Sequence, residues 1–268
     1  MSALTIADIG EIGPEFLVFG GPYSNLQATK ALFDYADAAG VGAGQLICTG
    51  DAVAYCGDPA GVVERLDGQC HWIAGNCEKQ LVAGADDCGC GFEDGTECDM
   101  WSAQWYARAR AALSANHLQA MARCPDLLTF TTNGLRAVVL HGGVTDVARF
   151  LWPTDPEAAF QSEIDGVARH CGPVDLVFAG HAGLVFERQI GPVRWLNAGV
   201  IGMPAHDGTP ATRFIHWTAG AHVVRRLEYD HAGAAASAVA GGYPQPYARA
   251  LSTGLWPSED VLPEALRR

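Results

Sequence analysis

Two stretches decide how this chain reads: Leu46-Ile-Cys-Thr-Gly-Asp51 and His71-Trp-Ile-Ala-Gly-Asn76. In each, a short apolar run stops at a glycine, and a side chain offering an oxygen donor follows at once. The pattern recurs. Phe16-Leu-Val-Phe19 runs into Gly20-Gly-Pro-Tyr-Ser-Asn25, Ala137-Val-Val-Leu140 into His141-Gly-Gly143, and Leu176-Val-Phe178 into Ala179-Gly-His181. A sixth run, Arg194-Trp-Leu196, meets Asn197-Ala-Gly199. Continuous apolar runs this short are what strands covered on both faces look like, so helices should pack on the sheet.

The intervening segments can supply those helices. Asn25 to Ala39 carries Leu26, Thr29, Leu32, Phe33 and Tyr35 at helical spacing, and Gly61 to Leu66 is a shorter candidate. Ser102 to Cys124 reads as one long helix with Trp105, Ala109, Ala112, Leu113 and Met121 as its buried stripe. Alternation of strand and helix means an α/β fold. Thr212–Trp217 and Ala221–Tyr229 alternate instead, and Thr218-Ala-Gly220 should join them as an antiparallel hairpin. Residues 231–268 read as a peripheral helical tail of one domain that spans residues 1–268.

Composition sets the limits. The chain has 268 residues, 49% of them hydrophobic and 18% charged, an ordinary globular balance. Its net charge of −13, with Lys30 and Lys79 as the only lysines, argues against a nucleic-acid polymer as partner, because no basic stripe exists to neutralise phosphates. No apolar run approaches the roughly 20 residues that a membrane span needs. Residues 1–13 carry acidic groups and no basic segment, unlike a secretory signal, so the expected compartment is the cytoplasm. The nine cysteines are accordingly expected to be reduced thiols, some of them possible ligands. The oligomeric state is not legible.

In open α/β sheets, ligands bind beyond the carboxyl ends of the strands. That rim would gather Asp51, Asn76, His141 and His181, each beside a glycine that lets the backbone turn sharply. A carboxylate, an amide oxygen and two imidazoles suit a borderline divalent metal such as Mn, Zn, Fe or Ni.

The order Gly-Asp51, Gly-Asn76, His141-Gly and Gly-His181 resembles the calcineurin-like metallophosphoesterase superfamily, in particular its small bacterial phosphodiesterases. The motifs of that family run Asp-x-His-x-Asn, Gly-Asp-x-x, Gly-Asn-His-Asp/Glu, His-Gly and Gly-His-x-His. The resemblance covers about residues 16–217. It extends to Asn25-Leu26, to Val53-Ala-Tyr-Cys-Gly-Asp-Pro59 and to Asn197-Ala-Gly-Val-Ile-Gly-Met-Pro204. It implies a four-layer αββα sandwich with two mixed sheets, and a phosphate ester or related small molecule as ligand.

The departures are as informative as the matches. In the family, one metal is held by the Asp and His of the first motif, by the bridging Asp and by the last His. The other is held by the bridging Asp, the Asn and two His. Here the first-motif Asp falls on Gly21, its His on Tyr23 and the last His on Gly183, while the His after the Asn falls on Cys77. One position thus keeps Asp51, Asn76, His141 and His181, and the other loses three of its four ligands. The resemblance therefore implies a centre with one ion. Asp51, Asn76 and His141 are the expected catalytic set. Cys77 beside them is a candidate nucleophile or redox thiol, its pKa lowered by the cation. Tyr23 either ligates as a phenolate or fills the vacated volume. With no two-metal clamp and no acid at position 77, weak or no turnover of ordinary phosphodiesters is expected.

Cys77, Cys88, Cys90 and Cys98 fall in one acidic, loop-like stretch, which could seat Zn or another soft metal, or lend a thiolate to the vacant position. Asn25 and Asn197 are candidate substrate-binding residues that hold cleft loops through side-chain-to-backbone bonds. Two other classes of function stay open: a pseudoenzyme that binds a nucleotide or partner on the same fold, and a redox or metal-handling role for the Cys77–Cys98 loop.

Overall fold

The structure, a computed structural model, describes residues 4–268. Period-two alternation on the central strands sorts the core into layers. In β2 (Glu15–Phe19), Phe16 and Val18 point one way and Leu17 and Phe19 the other; all four are fully buried. Phe16 and Val18 join Ile47, Leu128, Phe130, Val139, Phe178 and Trp217 in a cluster between two sheets. Leu17 and Phe19 face helices.

One sheet has the order β11-β10-β2-β3-β4, with β3 Leu46–Cys48, β4 His71–Trp72, β10 Thr212–Thr218 and β11 Ala221–Leu227. β2, β3 and β4 are parallel, β10 is antiparallel to β2, and β10 and β11 form the antiparallel hairpin that their alternation predicts. The other sheet has the order β1-β5-β6-β7-β9-β8, with β1 Ile6–Glu11, β5 Leu127–Thr132, β6 Leu135–Val139, β7 Leu176–Ala179, β8 Val185–Ile190 and β9 Val193–Ala198. β6, β7 and β9 are parallel, while β5 and β8 are antiparallel to their neighbours β6 and β9. Both sheets are mixed.

The outer face of the first sheet is covered by α1 (Leu26–Ala39), α2 (Pro59–Leu66), α3 (Asn76–Ala83), α4 (Glu97–Ala112), α5 (Ala115–Ala122), α7 (His231–Ala240) and α8 (Gln245–Thr253). The outer face of the second is covered by α6 (Glu157–Cys171), whose Phe160, Ile164 and Val167 pack on Val138, Val177 and Trp195. The architecture is the αββα sandwich that the resemblance implied.

The single long helix expected over 102–124 is two helices. Leu113 and Ser114 leave helical geometry, and the Ser114 hydroxyl accepts from the backbone N–H of His117 to start α5. Ala112 is exposed as a result, although Trp105, Ala109 and Met121 are buried as expected. The C-terminal segment is more closely integrated than a peripheral tail. Tyr247 and Leu251 join the core around α1 and α2, and Leu262 packs with Trp152 and Ala182 beside Trp256. Among the described residues no helix is long and apolar enough to cross a membrane.

Candidate metal centre

Strand polarity brings the rim together. β3 and β4 end towards Asp51 and Asn76, and β6 and β7 of the facing sheet end towards His141 and His181. The turn after β3 needs a glycine. Gly50 has φ +97°, and a Cβ there would stand 2.7 Å from the Gly75 nitrogen and 2.8 Å from His141 Nδ1. Asp51 and His181 are themselves left-handed, at φ +56° and +58°, conformations that concentrate at functional sites in non-glycine residues.

Glu78 holds this backbone in place. It lies on the first turn of α3, fully buried, and its Oε2 accepts from the N–H groups of Asp51 and Gly75 while Oε1 accepts from Ala52, each at 2.8 Å. No role was expected for it. Its signal was the fit of Gly75-Asn-Cys-Glu78 to the family's Gly-Asn-His-Asp/Glu motif, together with the preference of helix N-termini for an acidic residue.

Four acceptor atoms converge. His141 Nε2 lies 3.1 Å from Asn76 Oδ1, 3.1 Å from His181 Nδ1 and 3.2 Å from Asp51 Oδ2. These three separations match the roughly 3.0–3.4 Å that metal–ligand bonds of ~2.1 Å produce at octahedral to tetrahedral angles, while His181 Nδ1 and Asp51 Oδ2 stand farther apart, at 4.0 Å. The hydrogen-bond network orients each group. His141 Nδ1 lies 2.6 Å from the Thr49 carbonyl, which can only accept, so the hydrogen sits on Nδ1 and Nε2 faces inward. Asn76 turns its Nδ2 outward to the Cys88 carbonyl at 2.9 Å, which leaves its oxygen at the centre. Asp51 Oδ1 accepts from the Cys77 backbone N–H at 3.3 Å. His181 Nε2 is buried without a well-formed hydrogen bond, and the Phe150 ring lies with its centroid 4.2 Å from the imidazole. One proton cannot satisfy four acceptors, whereas a cation can; the donor set fits a divalent metal. Among the described residues, Asp51, His141 and His181 form the cluster of His, Cys, Asp or Glu that could hold one.

The electrostatics agree. Burial pushes the Asp51 carboxyl up, but His141 and His181 outweigh it and hold the group below the ordinary carboxylate value. Burial pushes His141 down, and the Asp51 charge and hydrogen bond more than reverse this, leaving it raised. Burial and then the His141 charge push His181 down to about 3. Burial and then the Asp51 charge push Glu78 up to about 7.

Rings stand over Gly21 and Gly183, where the resemblance places the lost ligands. A Cβ on Gly21 would meet Tyr23 Cζ at 2.5 Å and Val200 Cγ1 at 2.6 Å, so the Tyr23 ring occupies the space of the family's aspartate. A Cβ on Gly183 would meet Trp256 Cζ2 at 3.0 Å. The Tyr23 ring packs into this volume, and burial followed by the Asp51 charge holds its hydroxyl well above the ordinary phenol value.

Other expectations are corrected. Cys88 and Cys90 form a disulfide, so in this structure they are neither reduced thiols nor thiolate ligands. Cys90 Sγ and Cys77 Sγ each lie 3.5 Å from Asn76 Nδ2, which makes the loop a support for Asn76. Cys77 is buried, and burial with the Asp51 and Glu78 charges pushes its thiol well up. Cys98 lines the neighbouring cavity. Asn25 and Asn197 do not line it. Asn25 caps α1 through Ala28 N and donates to the Gly202 carbonyl at 3.0 Å, and Asn197 bridges the Gly180 carbonyl and the Gly199 N–H. Both hold loops through side-chain-to-backbone bonds, as expected.

A two-sheet αββα sandwich with a buried Asp/Asn/His/His donor set at the strand ends defines a metal-binding α/β protein. The chain belongs to the calcineurin-like phosphoesterase superfamily, whose domain model matches residues 3–219. The chain is similar in structure to a metallophosphoesterase from Sphaerobacter thermophilus, with TM-score 0.70 and 18% identity over 91% of this chain and 100% of that one. It is likewise similar to a hypothetical protein from Pyrococcus horikoshii, with TM-score 0.70 and 14% identity over 90% and 99%. At such identities the likeness speaks to the fold alone. No curated protein matches the chain.

Proposed function

We propose that this protein is a phosphoester hydrolase of the superfamily that works with one divalent cation (Mn, Zn, Fe or Ni) on a small phosphate-containing molecule. Asp51, Asn76, His141 and His181 would hold the cation. The observation that carries the reading is the convergence of their four acceptor atoms on one point, beside a second position packed with Tyr23 and Trp256. When bound, the cation supplies Lewis acidity, polarising a phosphoryl oxygen and acidifying water.

The chain's own residues do the rest. Thr49 fixes the tautomer of His141, Cys88 fixes the amide of Asn76, and Glu78 fixes the turn that carries Asp51. The aromatic side chains around His181 lower the polarity beside the centre and so strengthen its charge interactions. What is missing is an acid. Cys77 occupies the place of the family's histidine, and its buried thiol is a poor proton donor. Slow turnover follows.

Protein loaded with Mn should retain one ion per chain, lose it in His141→Ala, and hydrolyse bis-p-nitrophenyl phosphate slowly or not at all. Two ions per chain with brisk Mn- or Ni-dependent turnover would overturn the one-ion reading. One observation favours a second reading, a metal-dependent binding module: among the described residues no Lys or Arg lines the cavity to balance phosphate charge. One retained ion with no turnover of any phosphate ester would select it.

A further inference from the structure

The volume beside the donor set has a chemistry of its own. Beside the donor set, this chain has a half-open cavity of about 80 Å³ reaching from Asp51 and His181 to the C-terminal segment. Its walls include Tyr55, Phe150, Trp152, Met203, Trp256 and Val261. The rings are packed against one another before any ligand arrives. Phe150 and Trp152 stack at 5.2 Å and 4°, Tyr55 meets Tyr23 edge-on at 4.7 Å, and Tyr55 stacks on Tyr247 at 4.8 Å.

Trp256 is held from behind. Its backbone N–H donates to His206 Nδ1 at 2.8 Å, its indole N–H donates to the Pro204 carbonyl at 2.9 Å, and His206 Nε2 is paired with Glu259 at 2.8 Å. A wall fixed in this way loses little entropy when something binds against it.

We infer that this cavity is a subsite for a small, neutral, apolar ester group, no larger than a single ring, whose phosphate end faces Asp51 and His181. The inference rests on the proposed phosphoester reading and names its substrate class. A cavity of 150 Å³ lined by apolar groups takes up benzene. At about 80 Å³ the enclosed part holds the inner half of such a ring, with the remainder toward the open mouth. A cationic group is disfavoured, because among the described residues Asp51 is the only carboxylate on the walls and it is already paired with His141. A sugar or glycerol group is disfavoured because most of the wall is rings and aliphatic side chains, with few partners for its hydroxyls.

The test compares phenylphosphonate with methylphosphonate, neither of which carries a hydrolysable ester, by calorimetry on Mn-loaded protein. Phenylphosphonate should bind roughly 3–10-fold tighter, the factor for burying about half of a ring-sized apolar group. Trp256→Ala should abolish most of that preference with its metal content unchanged, and Trp256→Phe should keep most of it. Phenol, which has no phosphorus, should bind the metal-free protein and bind more weakly to Trp256→Ala. If both phosphonates bind equally, the subsite is wrong and the hydrolase reading survives. If neither phosphonate binds but phenol does, the subsite survives and the phosphoester reading falls. If phosphocholine outcompetes phenylphosphonate, the rings form a cation cage and the inference fails.

Discussion

Trp256 lies over Gly183: a side chain starting at residue 183 would come within 3.0 Å of the indole carbon Cζ2 and 3.1 Å of Cη2. A residue from the C-terminal segment thus occupies the place from which the superfamily's last histidine would reach a metal. Tyr23 does the same above Gly21. The two losses are matched by two rings.

Putting the lost ligands back should therefore destabilise the protein without rebuilding a second site. Gly183→His adds overpacking against Trp256 and a side chain at φ +75°, and Gly21→Asp does so against Tyr23 at φ +36°. Each should cost about 1–3 kcal/mol in urea unfolding. Combining Gly183→His with Trp256→Ala should cost less than the sum of the singles, because the clash disappears. A fully stable Gly183→His protein that gains a second ion would show that the rings are not the obstacle.

Metal binding should release about one proton near neutral pH. His141 is raised above its ordinary value by Asp51 despite burial, so below that raised pKa its Nε2 carries a proton where the cation must go. His181, pushed down to about 3, is already neutral and has none to lose. Apparent Mn affinity should rise about tenfold per pH unit from about 6.5 towards the pKa of His141, then level off. Calorimetry in buffers of different ionisation enthalpy counts the protons; a count of zero at pH 6.5 contradicts the assigned role of His141.

Glu78→Ala removes the acceptor of three buried N–H groups at once. The cost should be about 3 kcal/mol or more, since each unsatisfied buried donor costs about 1–3 kcal/mol. Because the same carboxylate positions Asp51, Mn affinity should fall roughly 10–100-fold. Unchanged affinity in a destabilised variant would mean that Asp51 holds its place without Glu78.

Asn25→Ala separates support from recognition. It should lower stability by about 1–2 kcal/mol through loss of the α1 cap and of the bond to Gly202, with metal content and phosphonate affinity unaltered. A stable variant with weakened phosphonate binding would return Asn25 to the ligand.

Much of the centre could be read from the chain because each donor directly follows a buried strand and a glycine. Local pattern and strand polarity then suffice to place Asp51, Asn76, His141 and His181 at one rim. Edge elements were harder. β1 and β8 are half-exposed at the two ends of their sheet, and polar sequences such as Val185-Phe-Glu-Arg-Gln-Ile190 carry little of the apolar signature of a central strand. The break between α4 and α5 lay in the Ser114 cap, which competes with helix continuation over a single residue.

Sequence alone determined the α/β class and pointed to the four donors, because these depend on residue type at fixed spacing along strands. Only the tertiary structure decided what stands over Gly21 and Gly183, which way Asn25 and Asn197 point, and that Cys88 and Cys90 are paired. Trp256 is separated by 73 residues from the glycine it covers. Contacts of that range arise from packing the whole core, and no local periodicity encodes them.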